Sequence, residues 1–101
     1  MKKIIGGKKY DTETVKELGS SWNGLSPTDF NYCSEKLYRK KTGEFFLYGK
    51  GGARSQYAEQ EGNVWYGGED ITPYTEDEAK RWCENHLSVD EYEAIFGEVA
   101  E

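Results

Sequence analysis

Apolar and polar positions alternate most legibly through Leu37 to Tyr48, LYRKKTGEFFLY, which carries both arms of a β-hairpin and their turn. A loop of Lys41, Thr42 and Gly43 sets Lys40 opposite Glu44, Arg39 opposite Phe45, Tyr38 opposite Phe46 and Leu37 opposite Leu47. A shorter loop would force Thr42 to positive φ, which a β-branched residue resists and Gly43 accepts. Side chains alternate across a strand, so Leu37, Phe45 and Leu47 share one face and Tyr38, Phe46 and Tyr48 the other. The first face suits packing on helices. The tyrosine-rich face is expected half open, covered by the C-terminal region or by a partner.

Upstream, Lys2 to Ile5 reads as a short strand, Gly6-Gly7 as a turn and Lys8 to Tyr10 as the return. Asp11 or Thr12 then caps an expected helix with Val15, Leu18 and Trp22 at helical spacing, ended by Gly19 before Trp22. Ser20 to Asp29 is turn chemistry, broken by Asn23-Gly24 and Ser26-Pro27, and Asp29 to Cys33 reads as a short strand. Beyond the hairpin, Gly49 to Gly52 is a connection and Ala53 to Gln60 a helical turn. Val64 to Tyr66 forms another strand, and Ile71 to Tyr74 is an extended segment kept to a sheet edge by Pro73.

Two capping boxes organise the last quarter. Thr75 with Glu78 starts one helix, with Ala79, Trp82, Cys83 and His86 inward, and Ser88 with Glu91 starts a second, which buries Tyr92, Ile95, Phe96 and Val99. The expected fold class is therefore α+β: a small antiparallel β-sheet with an N-terminal helix and two C-terminal helices packed on it, residues 1–101 forming a single domain.

The net charge of −6 conceals a division along the chain. Residues 1–50 hold ten Lys or Arg and six Asp or Glu, whereas residues 51–101 hold three and thirteen, so the acidic half suits a basic protein surface better than duplex nucleic acid. There is no apolar run of membrane-spanning length and no leader-like start, which points to a cytoplasmic protein with Cys33 and Cys83 reduced.

Catalytic and metal chemistry find little support. Cys83 and His86 lie three apart on one helix, but no second pair completes a zinc site, and Cys83 is better read as a core residue. A Cys-His nucleophile would lack an elbow or an orienting partner, and the Gly49 to Gly52 run lacks the ending of a phosphate loop. The expectation is a protein that is not an enzyme and needs no cofactor. Two binding surfaces stand out. In one, Tyr38, Phe46 and Tyr48, flanked by Lys36, Lys40 and Lys50, stack single-stranded bases, and an accessory protein of this kind works through Lys36, Arg39, Lys40 and Lys41. In the other, carboxylates of the C-terminal helices and of the Glu59 to Asp70 loop imitate phosphates before a basic protein surface.

Three stretches, KKIIGGKKYDTETVKELG, DFNYCSEKLYRKKTGEFFLYGKGG and ITPYTEDEAKRWCENHLSVDEYEAIFGE, resemble a family of small proteins carried by prophages, plasmids and other mobile elements of Gram-positive bacteria, associated with type II-A anti-CRISPR proteins. The resemblance implies an inhibitor that binds an RNA-guided nuclease or its guide-RNA complex and blocks DNA cleavage. Such a nuclease holds its heteroduplex in a positively charged channel. On that reading Glu76, Asp77, Glu78, Glu84, Asp90, Glu91 and Glu93 meet basic side chains, with Trp65 and Tyr66 as apolar anchors. The alternative is a mobile-element accessory protein that binds nucleic acid through the basic aromatic hairpin.

Overall fold

A computed structural model describes residues 1–101. Its centre is a four-stranded antiparallel sheet built on the hairpin of β4 (Cys33–Arg39) and β5 (Phe45–Gly51), with β3 (Lys16–Trp22) beside β4 and β8 (Gly68–Tyr74) beside β5. The register is the expected one: Leu37 faces Leu47, Tyr38 faces Phe46 and Arg39 faces Phe45. The Lys40 amide donates to the Glu44 carbonyl at 2.8 Å, and Gly43 takes the loop's positive φ of 93°. Pro73 lies in the edge strand β8, where its missing N–H breaks no central ladder.

The expected fold class is corrected. Strands take 42% of the chain against 19% for helix, in eight strands and three sheets, so the molecule is mainly β with two C-terminal helices. The N-terminal helix is absent. β1 (Lys2–Ile5) and β2 (Lys8–Asp11) form a hairpin, and the segment with Val15, Leu18 and Trp22 runs into β3 as an edge strand. Asp11 uses its cap chemistry for a turn, its Oδ1 accepting from the Glu13 amide at 3.0 Å. A bulge at Leu18, where Glu17 faces Tyr38 and Gly19 faces Leu37, turns Leu18 toward the helices and produces the helix-like spacing. Poor helix formers at Gly19, Ser20 and Ser21 then favour the strand.

Three smaller expectations also change, the first being that Gly49 to Gly51, read as part of a connection, complete β5. Residues 29–31 are turn, with the Asn31 amide on Asp29 Oδ1 at 2.8 Å, so no strand precedes β4. Residues 53–57 are turns rather than a helical turn, and a short hairpin of β6 (Glu59–Glu61) and β7 (Val64–Tyr66) follows. β6 carries no apolar residue, so no periodicity marks it.

Both faces of the sheet are covered. On one, Leu37, Phe45 and Leu47 pack against Ala79, Trp82 and Cys83 of α1 (Glu76–His86). Tyr92, Ile95 and Phe96 of α2 (Val89–Phe96) close that layer, while Val99 lies beyond the helix and is exposed. Both capping boxes form, with Thr75 Oγ1 accepting from the Glu78 amide at 3.1 Å and Ser88 Oγ accepting from that of Glu91 at 3.2 Å. On the other face, the half-open expectation gives way to a lid made by the β1–β2 hairpin. Tyr10 meets Phe46 edge-on at 5.4 Å, Tyr38 stacks on Phe46 at 5.1 Å, and Ile71, Ile5 and Val15 complete the cluster.

Candidate functional site

The α1–α2 pair turns its apolar stripe inward and leaves a carboxylate surface outward. Glu76, Asp77, Glu78, Glu84, Asp90 and Glu91 are exposed and Glu93 is half-buried. Local structure already uses several of these groups. Glu78 Oε1 accepts from the Thr75 amide at 2.9 Å, Glu91 Oε1 from the Ser88 amide at 3.1 Å and Glu93 Oε2 from the Val99 amide at 2.8 Å, while Lys80 Nζ lies 3.9 Å from Glu76. Asp77, Glu84 and Asp90 make no side-chain hydrogen bond or ion pair within the chain, so their carboxylates are open to a partner, although Asp77 and Asp90 also complement the helix dipoles from the first turns of α1 and α2.

Trp65 and Tyr66 lie elsewhere. β7 sits at the sheet end where Gly51 pairs with Gly68, whereas α1 starts after Tyr74 at the far end of β8, about 20 Å away at strand rise. Trp65 lines an open groove of about 600 Å³ with Phe30 and Arg54, and its exposure of 56% beside Phe30 at 61% makes this end an apolar patch distinct from the carboxylates. The Arg54 guanidinium stands 5.8 Å from the Phe30 ring.

The stacking platform does not form. Tyr38 and Phe46 are buried beneath the N-terminal hairpin, and Tyr48 is half-buried with its hydroxyl donating to Glu69 Oε2 at 2.6 Å. Lys36 is drawn to Glu17 at 3.4 Å, Arg39 lies over the Phe45 ring at 5.8 Å and Lys40 over the Tyr10 ring at 3.6 Å. Lys41 is exposed at the hairpin tip.

A polar hub centred on Glu35 escapes sequence reasoning. Glu35 shares the helix-facing side of β4 with Leu37 and keeps only 12% of its side chain exposed. Its Oε2 accepts from the Tyr57 hydroxyl and from Gln56 Nε2 at 2.8 Å, and its Oε1 accepts from Trp82 Nε1 at 3.1 Å. The three donors tie β4, the 52–58 turn and α1 together. Tyr57 reaches Glu35 across Gly49, where any Cβ would sit inside the tyrosine ring, so glycine is required. Burial first, then the bond to Glu35, raises the Tyr57 phenol well above its ordinary value. A negatively charged residue at a strand position of inward parity, with a tryptophan N–H on the helix above, was the available signal.

His86 borders this hub. Its Nδ1 is 3.0 Å from Ser21 Oγ and its Nε2 is 4.0 Å from Glu35 Oε1. The Ser–His–Glu order invites a nucleophile reading, but 4.0 Å is beyond hydrogen-bond reach and both Glu35 oxygens already accept donors. The arrangement fits a fastener better than a reactive serine. Burial lifts the Cys83 thiol to about 11, the property of a packed core thiol. No group of three His, Cys, Asp or Glu side chains stands together to hold a metal ion, and no helix is long and apolar enough to cross a membrane. No protein-family model, curated protein or solved structure matches the chain.

Proposed function

We propose that this chain is a protein-binding inhibitor that presents the outer surface of α1 and α2 to a basic surface on its partner. The observation that carries the reading is the division of labour on those helices: the inner stripe and caps account for their fold, and Asp77, Glu84 and Asp90 remain unengaged. Between residues 75 and 101, nine carboxylate side chains face only Lys80 and Arg81. Such a field speeds association with a cationic surface and fades with salt.

Joined to the resemblance to type II-A anti-CRISPR proteins, the partner is an RNA-guided nuclease or its guide-RNA complex, whose positive channel the helices occupy in place of nucleic acid. The Trp65 and Phe30 end then acts as an apolar anchor at the margin of the interface.

Order of addition tests this. Target-DNA cleavage is followed with the protein added before or after the guide RNA. Inhibition in both orders is the expected result and places the block at DNA loading or cleavage. Inhibition confined to addition before the guide would move the block to guide assembly and count against phosphate mimicry. Uninhibited cleavage in both orders, across several type II-A nucleases, would remove the proposal.

A further inference from the structure

The end of the sheet where β3 begins and β4 finishes carries an open cleft of about 830 Å³ lined by Thr14, Val15, Lys16, Arg39, Lys40 and Lys41, with Gly43 at its rim. Lys16 and Arg39 are direct cross-strand partners, an arrangement of like charges that weakens strand pairing. None of the four cations has a carboxylate within 4.0 Å. Of the carboxylates next to the cleft in sequence, Glu17 pairs with Lys36 at 3.4 Å and Glu44 with Lys8 at 3.1 Å, while Glu13 is exposed and lies beyond 4.0 Å of every cation of the cleft. The fold thus gathers four positive charges, of which Arg39 and Lys40 lie over the Phe45 and Tyr10 rings and none is neutralised by an ion pair within the chain.

We propose that this cleft binds the phosphodiester backbone of a nucleic acid. A protein ligand fits it poorly, because interfaces draw their affinity from apolar and aromatic anchors and Val15 is the only apolar residue lining it. A phosphodiester strand needs no such anchor, since neutralising its charges releases condensed counterions. Recognition is independent of sequence. The neighbouring Tyr10 and Tyr38 rings are buried and offer no surface on which a base can stack. This site is separate from the carboxylate surface of the helices and stands whether or not that surface binds a nuclease.

Fluorescence anisotropy of the full chain with a labelled 20-nucleotide oligouridine RNA and with a labelled 20-base-pair DNA duplex tests the assignment. Four neutralised phosphates give a log–log salt slope of about −2.8 for the single strand and about −3.6 for the duplex, a loss of roughly 50-fold or 150-fold between 50 and 200 mM salt. The double variant Lys16→Gln with Lys41→Gln, whose side chains are exposed, should halve the slope, leaving a loss of about sevenfold for the RNA over the same range. Lys50→Gln, exposed at the opposite end of the sheet, should change neither affinity nor slope. Binding of either probe with that pattern supports the proposal, and the stronger probe names the strand form. No binding at 50 mM salt, an equal effect of Lys50→Gln, or self-association abolished by the Lys16 and Lys41 changes in place of probe binding would each overturn it.

Discussion

The two layers that sandwich the central sheet carry opposite charge. The β1–β2 hairpin exposes Lys2, Lys3, Lys8 and Lys9, and its Asp11 is buried, while the α1–α2 pair exposes a nearly uniform set of carboxylates. The division seen along the chain therefore becomes a division between the two faces of the central sheet. The two layers differ in how far local structure consumes their charge. Lys3 is paired with Asp70 and Lys8 with Glu44, so two hairpin lysines hold the lid to the sheet. On the helices, Asp77, Glu84 and Asp90 serve no such purpose, which is why the functional reading rests on that layer.

The largest break in this comparison should come from Phe46→Ala. Phe46 has no exposed surface and receives both Tyr10 and Tyr38, so its loss should cost about 4 kcal/mol in urea unfolding. Hydrogen exchange should show β1 and β2 losing protection before α1. Equal loss in both layers would mean that the hairpin is not a separable lid. Next, Tyr57→Phe removes a donor from the largely buried Glu35 and should destabilise the helix side by about 2 kcal/mol, with little effect on exchange in β1. Thr75→Ala should cost about 1 kcal/mol and Ser88→Ala less, because α2 has no fully buried residue and frays more cheaply. Urea midpoints for the two variants would reveal whether that ranking holds.

A separate effect, set by pH and not by substitution, is alkaline. Burial raises the Cys83 thiol from 9.0 to about 11, so the folded state holds a proton that the unfolded chain releases first. This contribution is intact below pH 9 and disappears as pH rises to about 11. Tyr57, raised by burial and by Glu35, extends the decline above pH 10. Urea midpoints taken at pH 7, 9 and 10.5 should fall slightly at pH 9 and most at 10.5, and Cys83→Ala should flatten the earlier part of that fall.

What was legible in the sequence was local. Thr75 with Glu78, Ser88 with Glu91 and the Lys41 to Gly43 loop each specify their geometry within four residues, and all three form. What was not legible depended on contacts between distant segments. Val15, Leu18 and Trp22 imitate a helix because a bulge in an edge strand shifts the alternation, and only pairing with β4 reveals it. The cover on Tyr38 and Phe46 comes from Tyr10, 28 residues before Tyr38 in the chain. Of the candidate residues, the helix carboxylates lie on one layer, while Trp65 and Tyr66 belong to another end of the sheet. The basic cleft was half visible: Arg39, Lys40 and Lys41 are adjacent in sequence, but Lys16 and Thr14 join them only because β3 is a strand.

The most direct test of the central claim is the inhibition of guide-loaded type II-A nuclease by a triple variant, Asp77→Asn with Glu84→Lys and Asp90→Asn, which leaves both capping boxes and the core untouched and places no cation in the first turn of either helix. Circular dichroism should match the unaltered chain, and the concentration needed for half-inhibition should rise at least about tenfold, with the unaltered chain itself weakening as salt is raised. Equal inhibition by the folded triple variant and the unaltered chain at every salt concentration would contradict the acidic-face account.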